Sequence, residues 1–202
     1  MLLEINPINP QERLINQVVD YLKKGAIIAY PTDTFYGIGC DLMNKKAIEM
    51  VYRIKQRSKN KPFSFICSDL KHISHYAKVS NYAYRTMKRL LPGPYTFILE
   101  GSKLVPKIML TKRRTAGIRV PDHPICIALT SKLGNPILST SATLPDGTII
   151  YHPSFIHEKL NSNIDIVIDG GPVPGSPSSV ISLINDYPEV LRRGLGDVSS
   201  FE

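Results

Sequence analysis

Apolar residues recur every three to four positions in the segment that follows Pro10. Asn9 and Pro10 are typical of a helix cap and a first helical residue, and Gly25 is typical of a helix end. The apolar positions between them are Leu14, Ile15, Val18, Val19 and Leu22. This spacing places them on one face, so the pattern predicts an amphipathic helix.

Similar spacing predicts further helices. Asn44 is a candidate cap for a second helix, whose apolar face carries Ala47, Met50, Val51 and Ile54. Helical patterns also cover about 69–77, 80–91 and 153–160. Another helix is predicted to begin at Pro121 and to run through Ile125, Ala128 and Leu129.

Short apolar runs between these helices predict strands. The runs lie at 26–30, 62–67, 95–99, 115–120, 136–141, 164–168, 179–184 and 189–192. The Gly-x-Gly pairs at 37–39 and 194–196 lack the third glycine of a dinucleotide motif and are interpreted as turns. Because strands and helices interleave, the chain is predicted to have an α/β fold with a mixed sheet, covered at least partly on both faces.

Length and composition narrow the class of protein. At 202 residues with 43% hydrophobic content, the sequence predicts one domain, 1–202, with a substantial core. No apolar run is long enough to span a membrane, so no membrane partner is expected. The three scattered cysteines and the absence of a signal-peptide pattern indicate a cytoplasmic protein.

The charge is distributed unevenly along the chain. The net charge is +8, but residues 1–120 hold 21 Lys and Arg against 8 Asp and Glu, a net of +13. Residues 121–202 hold 4 against 9, a net of −5. This polarity indicates an anionic partner met mainly by the first 120 residues, either a nucleotide, a nucleic acid or both.

Five basic residues fall within nine positions at the end of the second helix. They are Arg53, Lys55, Arg57, Lys59 and Lys61. A turn rich in hydroxyls, residues 30–37 (Tyr-Pro-Thr-Asp-Thr-Phe-Tyr-Gly), precedes them. Fixed cations beside hydroxyl donors suit a phosphate-bearing ligand, although a solvated basic helix end has the same composition.

Several common chemistries lack their sequence signatures. There is no P-loop motif and no Gly-x-Ser-x-Gly elbow. His72 and His75 lie three apart on a predicted helix without further ligands in the pattern, so no metal site is predicted.

An ordered set of segments resembles one family over nearly the whole chain. The segments are 30–37, Lys55-Gln-Arg57, Pro92-Gly-Pro-Tyr-Thr96, Gly117-Ile-Arg-Val-Pro-Asp-His-Pro124, Leu138-Ser-Thr-Ser-Ala142, Ser178-Ser-Val-Ile181 and Leu191-Arg-Arg-Gly194. Together they resemble the YrdC/Sua5/YciO family. The resemblance implies an open, twisted, mixed α/β sheet around a large, positively charged concave cavity.

The resemblance also implies a reaction. Synthases of the family make threonylcarbamoyl-AMP from L-threonine, bicarbonate and ATP, with Mg²⁺ expected to accompany the ATP. The product feeds the t6A modification of tRNA, so tRNA and tRNA-modification proteins are implied partners. Several anionic groups meet in one pocket, and positioning together with charge neutralisation should supply most of the catalysis.

Site residues carry over from the resemblance position by position. For the nucleotide they are Lys55, Arg57, Lys61, Thr115, Ser141 and Arg193. For threonine and the base of the cleft they are Thr34, Arg119, Ser139 and Ser179. The catalytic residues are expected to be Lys55, Arg57, Ser141 and Thr143. The arginine suits a carboxylate because a guanidinium grips two oxygens, while each serine is otherwise an ordinary strand-end hydroxyl.

One position departs from the synthases of the family. They usually carry Ser-x-Asn where this chain has Ser141-Ala-Thr143, and the surrounding pattern looks most like the YciO branch. Two alternatives therefore stay open. One is a protein that binds double-stranded RNA, tRNA or a nucleotide with little or no synthase activity, and the other is a nucleotide-dependent enzyme with a different acyl donor or acceptor.

Overall fold

A computed structural model describes residues 1–58, 62–144, 146–160 and 162–201. Within these ranges, ten strands form one sheet. The strands are β1 (Leu2–Glu4), β2 (Ile28–Tyr30), β3 (Gly37–Asp41), β4 (Ser64–Ile66), β5 (Tyr95–Glu100), β6 (Thr115–Arg119), β7 (Ile137–Ser141), β8 (Ile166–Asp169), β9 (Ser179–Ser182) and β10 (Glu189–Arg192).

The sheet is mixed and has the order β1-β8-β2-β3-β7-β4-β6-β5-β9-β10. Strand β8 is parallel to both β1 and β2, and β4–β6 and β5–β9 are also parallel pairs. The pairs β2–β3, β3–β7, β4–β7, β5–β6 and β9–β10 are antiparallel. The predicted α/β class with a mixed sheet is thereby confirmed.

Six α-helices join these strands within the described ranges. They are α1 (Glu12–Lys23), α2 (Lys45–Ile54), α3 (Leu70–Tyr76), α4 (Asn81–Leu90), α5 (Pro124–Leu133) and α6 (Pro153–Leu160). In the described part of the chain, no helix has the length and apolar character that crossing a membrane requires.

The apolar side chains form two clusters, which correspond to the two faces of the sheet. Successive strand residues alternate between faces. Ile28 and Tyr30 pack in the smaller cluster with residues of α1 and α5, whereas Ala29 belongs to the larger one. The larger cluster also contains buried residues of α2, α3, α4 and α6, such as Val51 and Ile156.

Of the three helix starts that were assigned to a named residue, one was right and two were wrong. Asn44 caps α2, because its side chain accepts a hydrogen bond from the backbone of Ala47. Helix α1 instead begins after Gln11, without a side-chain cap. Helix α5 begins at Pro124 rather than Pro121, since its first turn is capped by His123. In both corrected cases the helix begins later in the chain than predicted, nearer to its first buried apolar residue.

Strands β1 and β3 were not predicted, and β3 was missed because residues 37–39 were interpreted as a turn. The structure places Gly37 and Gly39 in β3, paired with β2 on one side and β7 on the other. A Cβ at Gly37 would lie 3.0 Å from the Tyr30 ring, and one at Gly39 would lie 3.1 Å from it. The two glycines therefore make room for a buried tyrosine that crosses the strand.

We expect Gly39→Ala to lower the free energy of unfolding by about 1–3 kcal/mol, because the added methyl overlaps the Leu138 carbonyl oxygen as well as the Tyr30 ring. The methyl of Gly37→Ala meets only the Tyr30 side chain and should cost less. Urea unfolding monitored by circular dichroism measures both. Two variants as stable as the parent protein would contradict this account of the strand.

Candidate functional site

A cavity of about 850 Å³ lies over the part of the sheet formed by β4, β5, β6, β7, β9 and β10. Gly117 and the Arg119 side chain line it, while Ile118 between them belongs to the larger core cluster. The serine and threonine side chains on its wall are Thr32, Thr34, Ser64, Thr96, Thr111, Thr115, Ser139, Thr140, Ser141, Thr143 and Ser178. The sheet thus presents a polar floor where α1 and α5 leave it uncovered.

Three arginines line this cavity, namely Arg57, Arg119 and Arg192. Arg57 follows the C-terminal end of α2, where its guanidinium carbon lies 4.8 Å from the centre of the Phe63 ring. Its Nη2 also donates to the Pro62 carbonyl at 3.4 Å. A ring face beneath a guanidinium restricts its orientation, so Arg57 is held at the cavity edge.

Lys55 is held by the end of β7. Its Nζ donates to the backbone oxygens of Ser141 at 3.1 Å and Thr143 at 3.3 Å, and also to the hydroxyl of Thr143. An ammonium group has three hydrogens, so all three are used. Burial, with a smaller contribution from the charge of Arg57, lowers the pKa of Lys55 to about 8.

Ser139 reaches the cavity floor with a defined hydrogen-bond direction. The Tyr30 hydroxyl donates to its Oγ at 2.8 Å, and complete burial raises the pKa of Tyr30 far above its ordinary value. The phenol therefore stays protonated and its hydrogen is committed to Ser139. The hydrogen of the Ser139 hydroxyl is left to donate elsewhere.

Arg119 lies in the wall of the cavity between two residues of the loop after β2. Its Nη2 pairs with Asp33 Oδ1 at 2.6 Å, and the two side chains are 10% and 9% exposed. Both Nη atoms also donate to Thr34 Oγ1 at 3.2 Å. The predicted residues Thr34 and Arg119 are thus brought together, and Asp33, which sequence reasoning passed over, joins them.

At the wall formed by β9 and β10, the residues that line the cavity are sequence neighbours of two predicted site residues. Ser178 and Arg192 line the cavity, whereas Ser179 and Arg193 do not belong to the described lining. Ser179 is buried, where it donates to the Gly196 carbonyl and accepts from the Gly194 amide. Alternation along a strand sends adjacent residues to opposite faces, so a shift of one position decides which residue reaches the cavity.

Arg192 is fixed by the residues around it. Its Nε donates to the Ser178 carbonyl and its Nη2 to the Ser178 hydroxyl, which is also 2.9 Å from the Thr96 hydroxyl. Burial first, and then the charge of Arg119, lowers the pKa of Arg192 from its usual value. No carboxylate in the described part of the chain forms an ion pair with it.

Three of the remaining predicted residues line the cavity and two do not belong to the described lining. Thr115, Ser141 and Thr143 line the cavity, and the Thr115 hydroxyl is 2.7 Å from that of Thr111. Lys61 lies outside the described residues. Lys55 contacts the lining loop without being part of the lining.

Metal ligands are scarce on this wall. The lining described above includes no Asp or Glu, and the described ranges hold no group of three or more His, Cys, Asp or Glu suited to a metal ion. Hydroxyls and guanidiniums alone do not make a protein-held Mg²⁺ site, because Mg²⁺ is usually bound through one or two carboxylates together with substrate phosphates.

A family model described as "Telomere recombination", the Sua5/YciO/YrdC model, matches residues 20–194. The chain belongs to the Sua5/YciO/YrdC family. Its relative in Escherichia coli strain K12, named "Uncharacterized protein YciO", is 46% identical over 199 residues, which cover 98% of this chain and 97% of YciO. A threonylcarbamoyl-AMP synthase of Vibrio vulnificus is 34% identical over 159 residues, which cover 77% of this chain and 86% of the synthase.

Solved structures of family members have the same architecture. The crystal structure of E. coli YciO superposes with a TM-score of 0.94 at 45% identity, covering 100% of this chain and 99% of YciO. The crystal structure of P. abyssi Sua5 complexed with L-threonine gives a TM-score of 0.89 at 26% identity, covering 96% of this chain and 57% of Sua5. The predicted family and its sheet architecture are confirmed by these matches.

Proposed function

We propose that this protein binds ATP, L-threonine and bicarbonate in the cavity and forms threonylcarbamoyl-AMP for the t6A modification of tRNA. The supporting observation is the convergence of three arginines on a hydroxyl-lined cavity of about 850 Å³. The family includes threonylcarbamoyl-AMP synthases 34% identical to this chain, and a Sua5 structure holds L-threonine. The positive charge that we expect in the cavity suits three anionic substrates.

The proposed reaction has two steps. The threonine amine attacks the carbon of bicarbonate and water leaves, which gives an N-carboxylate. An oxygen of that carboxylate then attacks the α-phosphorus of ATP, and the bond from the α-phosphorus to the bridging oxygen breaks. Pyrophosphate leaves with those electrons. Mg²⁺ would enter with the nucleotide and screen the phosphate charge, since the described wall offers it no carboxylate.

The residues of the chain would act by holding charge in place. Arg57 and Arg192 approach from different elements and suit the phosphate groups. Ser139 accepts a hydrogen bond from Tyr30, so its own hydroxyl hydrogen would be free to donate to an anionic oxygen of the substrate. Lys55 would have to leave its oxygens at the end of β7 before it could reach a phosphate.

Incubation with ATP, bicarbonate and L-threonine, followed by mass spectrometry of the nucleotides, tests the proposal. We expect a threonylcarbamoyl adenylate together with pyrophosphate, and neither when any one substrate is omitted. Replacing threonine by other amino acids in parallel distinguishes a different acceptor. ATP that binds but yields no adenylate with any amino acid would contradict the proposed reaction.

A second candidate is binding to double-stranded RNA or tRNA. The observation that favours it is a basic turn, Lys112, Arg113 and Arg114, whose side chains are exposed between two cavity-lining threonines. Double-stranded RNA is recognised through its shape and backbone, and a concave basic surface suits that geometry.

We expect tRNA affinity to fall steeply as salt rises from about 50 to 200 mM, because bound phosphates release counterions. Replacing Lys112, Arg113 and Arg114 with alanine should reduce the slope of log affinity against log salt by roughly one for each phosphate that the variant no longer binds. Fluorescence anisotropy with a labelled transcript measures both. No binding at the low-salt end, or a flat response, would leave the basic turn without an RNA role.

A further inference from the structure

Arg119 is the most enclosed of the three cavity arginines, and its hydrogen-bond donors are already engaged. A guanidinium carries five N–H groups in two forks, one between Nη1 and Nη2 and one between Nε and Nη2. Thr34 Oγ1 accepts from both Nη atoms at 3.2 Å and fills the first fork. Asp33 Oδ1 accepts from Nη2 at 2.6 Å and takes half of the second fork.

The donors that remain cannot grip a carboxylate with two parallel bonds. Nε is buried and has no hydrogen-bond partner among the described residues. The last hydrogen, on Nη1, lies on the Cδ side of the group, opposite the Nε hydrogen, so these two do not form a fork. A ligand that needs the bidentate geometry of arginine must therefore displace Thr34 or Asp33.

The hydroxyl of Thr34 is itself saturated. Thr32 Oγ1 donates to the Phe35 carbonyl at 2.6 Å, which uses its single hydrogen. In the 3.0 Å contact between the two threonine hydroxyls, Thr34 must then be the donor. With its hydrogen directed to Thr32 and its lone pairs directed to Arg119, Thr34 has no hydrogen to offer to a ligand.

Asp33 is fixed from its far side. Its Oδ2 accepts from the backbone amide of Asp122 at 3.1 Å, in the turn before α5. The carboxylate thus joins the loop after β2, the end of β6 and the start of α5. Because the Arg119–Asp33 pair is about nine-tenths buried, solvent screens it weakly and the attraction is correspondingly strong.

We propose that Asp33 is a positioning residue that acts as an internal carboxylate for Arg119, so that a substrate carboxylate binds at this wall only in competition with it. This inference rests on the proposed function for its substrate, the α-carboxylate of an amino acid. It assigns to Asp33 and Thr34 the control of Arg119, whereas Arg192 forms no ion pair with a carboxylate within the described residues.

The test replaces the internal carboxylate with its neutral isostere. In Asp33→Asn we expect L-threonine to bind about tenfold more tightly than in the parent protein, because the competing charge at Arg119 is gone. L-Threoninamide, which lacks the carboxylate, should bind equally to both proteins. Calorimetry measures the four affinities, and the ratio of acid to amide affinity is the readout that a general structural defect would not change.

Asp122→Asn is the matched control. It removes the same charge from the turn that Asp33 contacts, but its side chain is exposed and only its backbone amide bonds to Asp33. We expect its acid-to-amide ratio to equal that of the parent protein. An equal ratio in Asp33→Asn as well, or a lower one, would overturn the proposal.

Thr34→Ala keeps the test decisive if Asp33→Asn does not fold. Alanine removes the hydroxyl, leaves every charge in place and opens the fork between Nη1 and Nη2. The proposal expects tighter L-threonine binding, whereas a threonine hydroxyl that donates to the substrate would give weaker binding. Titration with propionate, a carboxylate without an amine, tests the role of Asp33 separately from the proposed substrate. Variants that gain affinity for propionate but do not bind threonine would uphold the role of Asp33 and refute threonine as the substrate.

Discussion

Thr143→Asn is expected to raise the rate of pyrophosphate release from ATP, bicarbonate and L-threonine by roughly a hundredfold. The Thr143 hydroxyl accepts a hydrogen bond from Lys55 and has only one hydrogen of its own. An asparagine amide can accept from Lys55 with its oxygen and donate to a phosphate or carbamate oxygen with its nitrogen. The measurement is the release rate at saturating substrates.

Thr143→Ser provides the control for this prediction, because it keeps the hydroxyl and adds no amide. We expect its rate to match that of the parent protein and the affinity for ATP to be the same in all three proteins. A parent rate equal to or above that of the asparagine variant would show that this departure from the synthase pattern has no catalytic cost.

Removing either Lys55 or Arg57 is expected to weaken ATP binding by roughly 10- to 100-fold, equivalent to about 1.5–3 kcal/mol for a charge-assisted phosphate contact. Calorimetric titration of Lys55→Ala and Arg57→Ala measures the weakening. Arg53→Ala removes the same charge from the exposed side of α2 and should bind ATP normally. Unchanged affinity in both test variants, with folding intact, would remove this pair from the site.

The two variants should also differ in their response to pH. The pKa of Lys55 is lowered to about 8, so its positive charge is present below that pH and is lost above it. An arginine keeps its charge throughout. ATP affinity should therefore fall between about pH 7.5 and 9.5 in the parent protein, fall at a higher pH in Arg57→Ala, where the charge that helps to lower the Lys55 pKa is gone, and show no such fall in Lys55→Ala. A parallel fall in all three would assign the titration to another group.

Periodicity alone predicted most helices and strands of this fold. The runs at 95–99 and 136–141 correspond to β5 and β7, and the Asn44 cap starts α2 as expected. Strand β3 could not be recognised in this way, because two of its five residues are glycines. Their role depends on the Tyr30 ring of the neighbouring strand, which local sequence cannot place.

The candidate site was predictable in its chemistry and less so in its detail. Hydroxyls and basic residues marked loops that line the cavity, and the resemblance selected several lining positions and two that lie one residue away from the lining. The difference between Ser178 and Ser179 depends on strand register, and the pairing of Asp33 with Arg119 joins positions 86 residues apart. Long-range geometry of this kind has no signal in the spacing along one chain.

The hydrogen bond from Tyr30 to Ser139 favours ligand atoms that accept, rather than donate, a hydrogen bond at the cavity floor. A buried phenol that donates to the serine makes the floor a donor toward the ligand, which suits oxyanions. Tyr30→Phe would free both lone pairs of Ser139 and let the same floor accept hydrogen bonds from an amine. Redesigning this scaffold for cationic ligands would thus begin inside the core, one layer beneath the surface that the ligand contacts.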